Sequence, residues 1–417
     1  MTSAAVEPVE EFRLRARAWL AENMPPLAGA IPDRPDDERR AVERALQARL
    51  WEGGFAGICF PAEYGGLGLT AEHQRAFTEE SLPYDMPFSL NVPTLGILAA
   101  TLVDFGTHDQ KLRHLPAILR GEELWVQFLS EPSGGSDLAG CLTRADRDGD
   151  VFVLSGSKIW SSAAHASDYA MCLARTNWDV PKHRGLTMFI VKIHQPGVTV
   201  ERIRQVDGSM EFCQEFFDDV PIPVSDVVGE VDDGWTVASR LLVHERMAVG
   251  GASPYTSGRS VGRAPEGADD DLLEVVRSTD RTGDPRARQL VAEARVRRLV
   301  GAQLIQRVTQ GVATGAMPAP AGAILKLFGA TGEMRRSEIG LELAGGTAAV
   351  WPSGDQPAGA RLGAASLMRQ GMSLGGGSNE MQRNIISERL LGMPREHAAD
   401  REVPYREVRR GGGSTSR

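Results

Sequence analysis

Residues 125–140, WVQFLSEPSGGSDLAG, run from an apolar stretch into a turn of serines and glycines. The first half carries aromatic and β-branched side chains that favour extended backbone. Ser130-Glu131-Pro132 ends it, and the SGGSD that follows offers free amides and hydroxyls. Such a turn suits a phosphate or the polar edge of a heterocycle. Taken alone, an ordinary polar loop is the plainer reading, so the surroundings decide.

Outward from this turn the pattern stays β. CLTRADRDGDVFVLSGSKIW (141–160) is two alternating runs joined at Asp148-Gly149, a strong hairpin signal. DYAMCLART, GLTMFIVKI and QEFFDDVPI follow as further strands between polar or proline-bearing turns. Before and after this region the spacing is helical. EEFRLRARAWLAENM and DERRAVERALQARLWEGG each place apolar residues at helical intervals, the second ending at Gly53-Gly54. Residues 233–392 again read as helix, interrupted by GGASPYTSGRSVGRAPEGADDD (250–271), whose composition predicts a mobile surface loop. The expected organisation is an α+β chain: a helical domain over 1–122, a β domain over 123–232, a second helical domain over 233–396, and a disordered tail over 397–417.

At 417 residues the chain has ample material for two or three buried cores. A formal charge of −9 argues against a nucleic-acid surface. No apolar run approaches the roughly 20 residues that span a bilayer. The acidic start MTSAAVEPVEEF lacks the features of a signal peptide, and the four cysteines are widely spaced; both predict a reducing cytoplasm. GRSVG (258–262) fits a nucleophile pattern but falls in the loop-like insert, not between a strand and a helix. DRDGD (146–150) has its glycine misplaced for a calcium loop, and His244-Glu245 lacks the second histidine of a zinc motif. No metal is expected. No G-x-G-x-x-G follows a strand, which removes the usual mark of a Rossmann dinucleotide site.

Together these segments resemble the acyl-CoA dehydrogenase flavoprotein family. GICFPAEYGGLGLT (57–70) and FGTHDQKLRHLPAILRGE (105–122) carry the likeness at the N-terminal side. FLSEPSGGSD (128–137), FFDDVPIPVSDVVGEVDDGW (216–235) and NEMQRNIISERLLG (379–392) extend it in order along the chain. The resemblance implies an N-terminal helical domain, a β-barrel-like middle domain and a C-terminal four-helix bundle. It also implies FAD held between the β domain and the C-terminal helices, with help from a neighbouring subunit. By position, Leu129 and Ser130 would line the flavin, and Ser136 would contact its phosphates or the CoA. Trp160 would pack on the isoalloxazine, and Ser162 would hydrogen-bond near its N5. Ser130 and Ser162 stand where the family mostly has threonine, and the hydroxyl survives both changes. The Gly377-Ser378-Asn379-Glu380 loop would meet cofactor and thioester.

The implied chemistry removes a proton next to a thioester carbonyl and passes hydride from the next carbon to the flavin, giving a 2,3-enoyl-CoA. Many family members carry the basic glutamate just before the glycine-rich loop, where this chain has Gly376. WTVASRLLVHERMAVGG (235–251) offers another carboxylate. Trp235, Ala238, Leu242, Glu245 and Val249 fall on one helical seam, which predicts that Glu245 faces inward. A carboxylate there costs free energy unless hydrated, paired or protonated, and burial shifts it toward the working range of a base. A pairing with Arg246, or exposure, is the plain alternative. Isovaleryl- and long-chain-type members keep their base on this helix before an arginine and have glycine at the later position. The resemblance therefore implies Glu245 as base, Arg246 beside the substrate, and the Gly376 N–H polarising the thioester carbonyl.

Two elements depart from the family pattern. The R-x-x-F-G region reads VVRSTDRTGDPRARQLVAEARVRRL (275–299), with Arg277 or Arg281 as stand-ins toward FAD. The Q-x-x-G-G element reads ELAGG (342–346), with Glu342 in place of glutamine. These changes point to an altered subunit interface, in a homotetramer or a heterotetramer with a related subunit. The expected electron acceptor is an electron-transfer flavoprotein. A non-catalytic partner subunit, or an acyl-CoA oxidase or flavin monooxygenase on the same fold, are the alternatives. Small residues in SLNVPTLGILAATLVDFG (89–106) suit a bulky, branched or polycyclic acyl chain, or simply close helix packing.

Overall fold

A computed structural model describes residues 6–27, 36–249, 253–256, 270–351 and 358–408. Their contacts divide them between two units, drawn from Met1–Ile203, Met210–Ser260 and His397–Arg417 in one case and Arg204–Ser209 and Val261–Glu396 in the other.

In the first unit, helices α1 (Val9–Asn23), α2 (Asp36–Glu52) and α3 (Ala71–Ser81) enclose Phe12, Leu20, Leu46, Leu50, Phe55 and Phe77. Helix α4 (Phe88–Phe105) is long and apolar enough to cross a membrane by composition alone. Its Leu95, Leu98 and Leu102 instead lie in the core shared with the sheet. Its centre, Asn91–Ala99, is wound as a π-helix. Helix α5 (His108–Leu119) begins with a reciprocal cap: the Gln110 N–H donates to the Thr107 hydroxyl, and the Thr107 N–H donates to the Gln110 side chain.

The sheet comprises β1 (Trp125–Phe128), β2 (Arg144–Asp148), β3 (Val151–Ser162), β4 (Tyr169–Arg175), β5 (Leu186–Lys192), β6 (Val198–Arg202), β7 (Phe212–Pro223) and β8 (Val227–Val228). Its order is β6-β7-β3-β2-β4-β5-β8, with β1 paired parallel to β4. The β2–β3 hairpin turns at Gly149, whose φ of +59° is easy only for glycine. Between Ile159 and Ser161 the pairing of β3 with β7 skips a residue, and the extra residue is Trp160 at φ +68°. That left-handed conformation costs a tryptophan on the order of 1–3 kcal/mol, and the bulge it makes re-aims the indole.

Helix α6 (Gly234–Val249) follows the sheet and is anchored by absent side chains. A Cβ on Gly234 would lie 2.6 Å from the Thr187 backbone of β5. One on Gly96 of α4 would lie 2.7 Å from both Ala248 and Thr256. These two glycines let α6 approach β5 and α4 closely. The insert expected to be mobile departs from that reading at residues 253–256. Ser253 and Thr256 are buried, and the Tyr255 ring centroid sits 4.6 Å from that of Phe60. The GRSVG motif lies outside the described residues.

The tail expected to be disordered is docked over 397–408, because Tyr405 gives it an anchor. Tyr405 is buried, stacks on Trp178, lies over the Arg175 guanidinium and donates its hydroxyl to the Gly140 carbonyl. Residues 409–417 lie outside the described residues.

The second unit contains α7 (Asp270–Ser278), α8 (Pro285–Ala313), α9 (Gly322–Ala344), α10 (Ala358–Leu367), α11 (Gly371–Leu374) and α12 (Asn379–Ile385). Leu272, Val275, Leu290, Ile339, Leu343 and Leu362 form its core. Helix α8 starts with Asp284 as N-cap and Pro285 in the first turn, a favourable pairing.

Two buried carboxylates in the sheet have opposite fates. Glu131 accepts from Lys158 at 2.8 Å and from the Leu142 and Thr143 amides at 2.7 and 2.9 Å. Burial alone would raise its pKa, but the Lys158 charge and hydrogen bond, with those of Thr143 and Cys141, bring it down to about 2. Glu215 is fully buried, accepts from the Ser161 hydroxyl, and has no partner for Oε2 among the described residues. Burial pushes it up to about 7, against the smaller pull of Ser161 and Lys158. For Glu131, the lowered value means stabilisation that is present above the ordinary glutamate range and lost as pH falls toward 2. For Glu215, the raised value means a penalty that grows as pH rises from about 4.5 to about 7. Glu215→Gln keeps an acceptor for Ser161 and removes the charge. It should raise the melting temperature by a few degrees at pH 8 and leave it nearly unchanged below pH 4.5, read by thermal melts across pH.

Candidate active site

Glu245 lies on α6 and is 9% exposed. The Gln127 amide of β1 donates to its Oε2 at 2.7 Å. The buried stripe of α6 is Gly234, Val237, Ala238, Leu241, His244, Glu245 and Ala248. The seam expected from sequence is therefore rotated: Trp235 and Leu242 are half-buried and Val249 is 69% exposed. The rotation follows from packing against α4 and β5 together, with Gly234 and Ala248 at the points of closest approach. Glu245 stays on the buried side, and Arg246 faces solvent in this chain. One turn back, Asp104 of α4 sits 2.9 Å from His244 Nε2 and accepts from Arg240 at 2.6 Å. Burial opposes ionisation of Asp104, but these two partners outweigh it and hold its pKa below the usual value. The cluster fixes the rotation of α6 about its axis.

Leu129 and Ser130, just after β1, are tied to the part of β3 that carries Trp160 and Ser162. The Ser130 carbonyl accepts from the Ile159 N–H at 2.9 Å, and the Leu129 carbonyl from Lys158 at 3.1 Å. Leu129 is buried and Ser130 half-buried, whereas Ser162 is exposed and the Trp160 indole is 54% exposed. Neither the Ser130 nor the Ser162 hydroxyl bonds to another described residue. Ser136 is exposed on the loop that Glu131 folds back. Beside this loop is a cavity of about 350 Å³ walled by Leu129, Glu131, Gly140, Cys141, Lys182 and Tyr405, among others. Burial raises the Cys141 thiol to about 11, which leaves it inert as a nucleophile.

In the other unit, Gly376 and Gly377 have φ of +68° and +86°. A Cβ on Gly377 would sit 2.7 Å from Gln382 Nε2, which donates to the Gly377 carbonyl at 3.1 Å. Both positions need glycine. Ser378 caps α12, accepting from the Met381 N–H at 3.3 Å, and Glu380 is exposed and paired with Arg383 at 3.1 Å. Gln382 Oε1 and Asn379 Oδ1 are buried with no partner among the described residues. Arg281 binds Asp284 at 2.7 Å and the Leu343 carbonyl at 3.1 Å, closing the end of α9. Glu342, in place of the family's glutamine, has its charge offset by Arg286 at 2.8 Å.

An exposed indole beside two unengaged hydroxyls suits one face and the polar edge of a flat heterocycle. Orphaned acceptors behind a left-handed glycine pair suit a ligand that brings donors. The residues present fit a flavin nucleotide on both counts. Several contributors were not assigned from sequence. Gln127 and Lys158 lie inside quoted motifs, yet their partners are 118 and 27 residues away. Tyr405 carried one faint signal, an aromatic residue in an otherwise polar tail.

Residues 7–122, 127–220 and 232–391 match in turn the N-terminal, middle and C-terminal domains of acyl-CoA dehydrogenases. Acyl-CoA dehydrogenase IpdE1 of Mycobacterium tuberculosis (strain ATCC 25618 / H37Rv) is 37% identical over 401 residues, covering 94% of this chain and 99% of the relative. The Tcur3481-Tcur3483 steroid ACAD has a similar solved structure, with a TM-score of 0.71 and 27% identity over 94% of this chain and 99% of that one. The ChsE4-ChsE5 complex from Mycobacterium tuberculosis gives 0.67 and 27% over 95% and 100%. With three domains matched in order and a relative aligned nearly end to end, this chain belongs to the acyl-CoA dehydrogenase family of flavoprotein oxidoreductases.

Proposed function

We propose that this chain carries out FAD-dependent α,β-dehydrogenation of an acyl-CoA thioester to the trans-2-enoyl-CoA, with Glu245 as general base. The observation that carries this reading is a carboxylate buried on the inner face of α6 and met there by an amide donor. Oriented by that donor, it can take a proton from an acyl C2 brought within about 3–3.5 Å. Bound FAD would supply the hydride acceptor. Leu129, Ser130, Trp160 and Ser162 hold its ring system, and Ser136 its phosphates or the CoA. The Gly376 N–H polarises the thioester carbonyl, and the left-handed backbone of Gly376-Gly377 lets the main chain approach without a side chain in the way. An electron-transfer flavoprotein would be the electron acceptor.

For the acyl group, the reading is a steroid-derived, polycyclic chain, supported by the similarity to a steroid ACAD. Gly96 gives that reading no support, because Ala248 and Thr256 already occupy its space. For the assembly, a heterotetramer with a related subunit is favoured. Two similar structures carry paired names, Tcur3481-Tcur3483 and ChsE4-ChsE5. The Arg281 guanidinium, the stand-in for the family's inter-subunit arginine, is engaged within its own helical unit.

Glu245→Gln should leave folded, yellow protein that binds acyl-CoA while turnover falls at least 10²–10⁴-fold; near-normal turnover rules the base out. A panel of acyl-CoAs scored by anaerobic flavin bleaching should favour polycyclic over straight-chain substrates. The chain purified alone should hold FAD below one per chain and recover it with its partner; stoichiometric FAD and full turnover alone contradict the heteromer.

A further inference from the structure

Alternate residues of β1 point to opposite faces of the sheet. Val126 and Phe128 enter one apolar cluster, and Trp125 and Leu129 enter the other, the one shared with α4, α5 and α6. Gln127 falls between Trp125 and Leu129 on that second face and is its polar member. A leucine or valine would suit such a place, since an amide there costs free energy unless its groups are bonded. The Gln127 NH₂ is bonded, to Glu245 Oε2. Its Oε1 is buried with no partner among the described residues. Turning the amide over would set that oxygen against the carboxylate, so the donor faces the base in the favourable orientation.

We propose that Gln127 is the positioning residue of the base: its side-chain N–H fixes the direction of the Glu245 carboxylate and favours its ionised form. The role rests on Glu245 being the base. β1 is pinned along its length by parallel pairing to β4, Gln127 lying opposite Met171. The chain leaves β1 directly into Leu129 and Ser130, three residues or roughly 10 Å beyond Gln127. One rigid strand thus aims the carboxylate and leads straight into the residues proposed to hold the flavin. Charged groups on α6 flank Glu245. Arg246, Arg240 and His244 share its helix, and the last two are tied to Asp104 of α4. β4 and β5 contribute apolar side chains to the core on which α6 packs, among them Met171, Leu173, Met188 and Ile190. Removing the Gln127 donor therefore withdraws an uncharged stabiliser of the carboxylate and leaves these charges as they are.

The test uses the holoenzyme, with its partner subunit if it needs one, and compares Gln127→Leu and Gln127→Glu with wild type. The leucine deletes the donor at similar volume. The glutamate keeps length and polarity but places a second carboxylate beside the base, and it covers the case in which the leucine variant fails to fold. A carboxylate that loses a hydrogen-bond donor titrates higher, and one that gains a like-charged neighbour higher still. The acidic limb of kcat/KM should move up by about one pH unit in Gln127→Leu and further in Gln127→Glu. Infrared titration of the carboxyl band, with Glu245→Gln as the blank, should show the same displacement without turnover. Unmoved titration in both folded variants overturns the role of Gln127. If turnover survives Glu245→Gln, the base assignment itself has failed; if it is lost there while the Gln127 variants titrate like wild type, Gln127 alone has been misassigned.

Discussion

A carboxylate withdrawn from water has to find donors inside the protein, and Glu245 finds one in Gln127 across the interface between α6 and the sheet. That contact needs α6 close to β1, and closeness is what Gly96 and Gly234 allow. It also needs α6 at one rotation, which Asp104 sets through His244 and Arg240. The sheet solves the same problem at Glu131 with a lysine and two amides, locking the loop that follows β1. At Glu215 it leaves the problem partly unsolved, and the group titrates near neutrality.

The order helix, sheet, helix was legible because periodicity is local. The hairpin at Gly149 was legible because one dipeptide dictates it. Glu245 was expected to face inward and is buried, but on a seam turned from the expected one. An apolar count along α6 cannot distinguish Trp235, half-buried beside the sheet, from Val237, which is 1% exposed. That choice is made by two packing partners at once. Residues 253–256 and 397–408 were misread for a related reason. Gly, Ser, Pro and charge dominate both, yet a single tyrosine in each finds an aromatic partner far along the chain.

The candidate site was legible where backbone conformation decides and illegible where partners are distant. Gly376 and Gly377 stood out because left-handed backbone needs glycine. Trp160 stood out by family position, but its strained bulge did not, since nothing local requires φ +68° of a tryptophan. Gln127 looked like one more residue of a strand until Glu245 was placed over it. Arg281 was singled out by residue type and region, while its bonds to Asp284 and the end of α9 depend on packing that the sequence does not display.

The most direct measurement is an experimental structure of the assembled protein with FAD and an unreactive acyl-CoA analogue. The account predicts a Glu245 carboxylate oxygen within about 3.5 Å of C2, on the side away from the flavin and still bonded to Gln127. A carboxylate turned aside, or a different acid poised over that carbon, would contradict it.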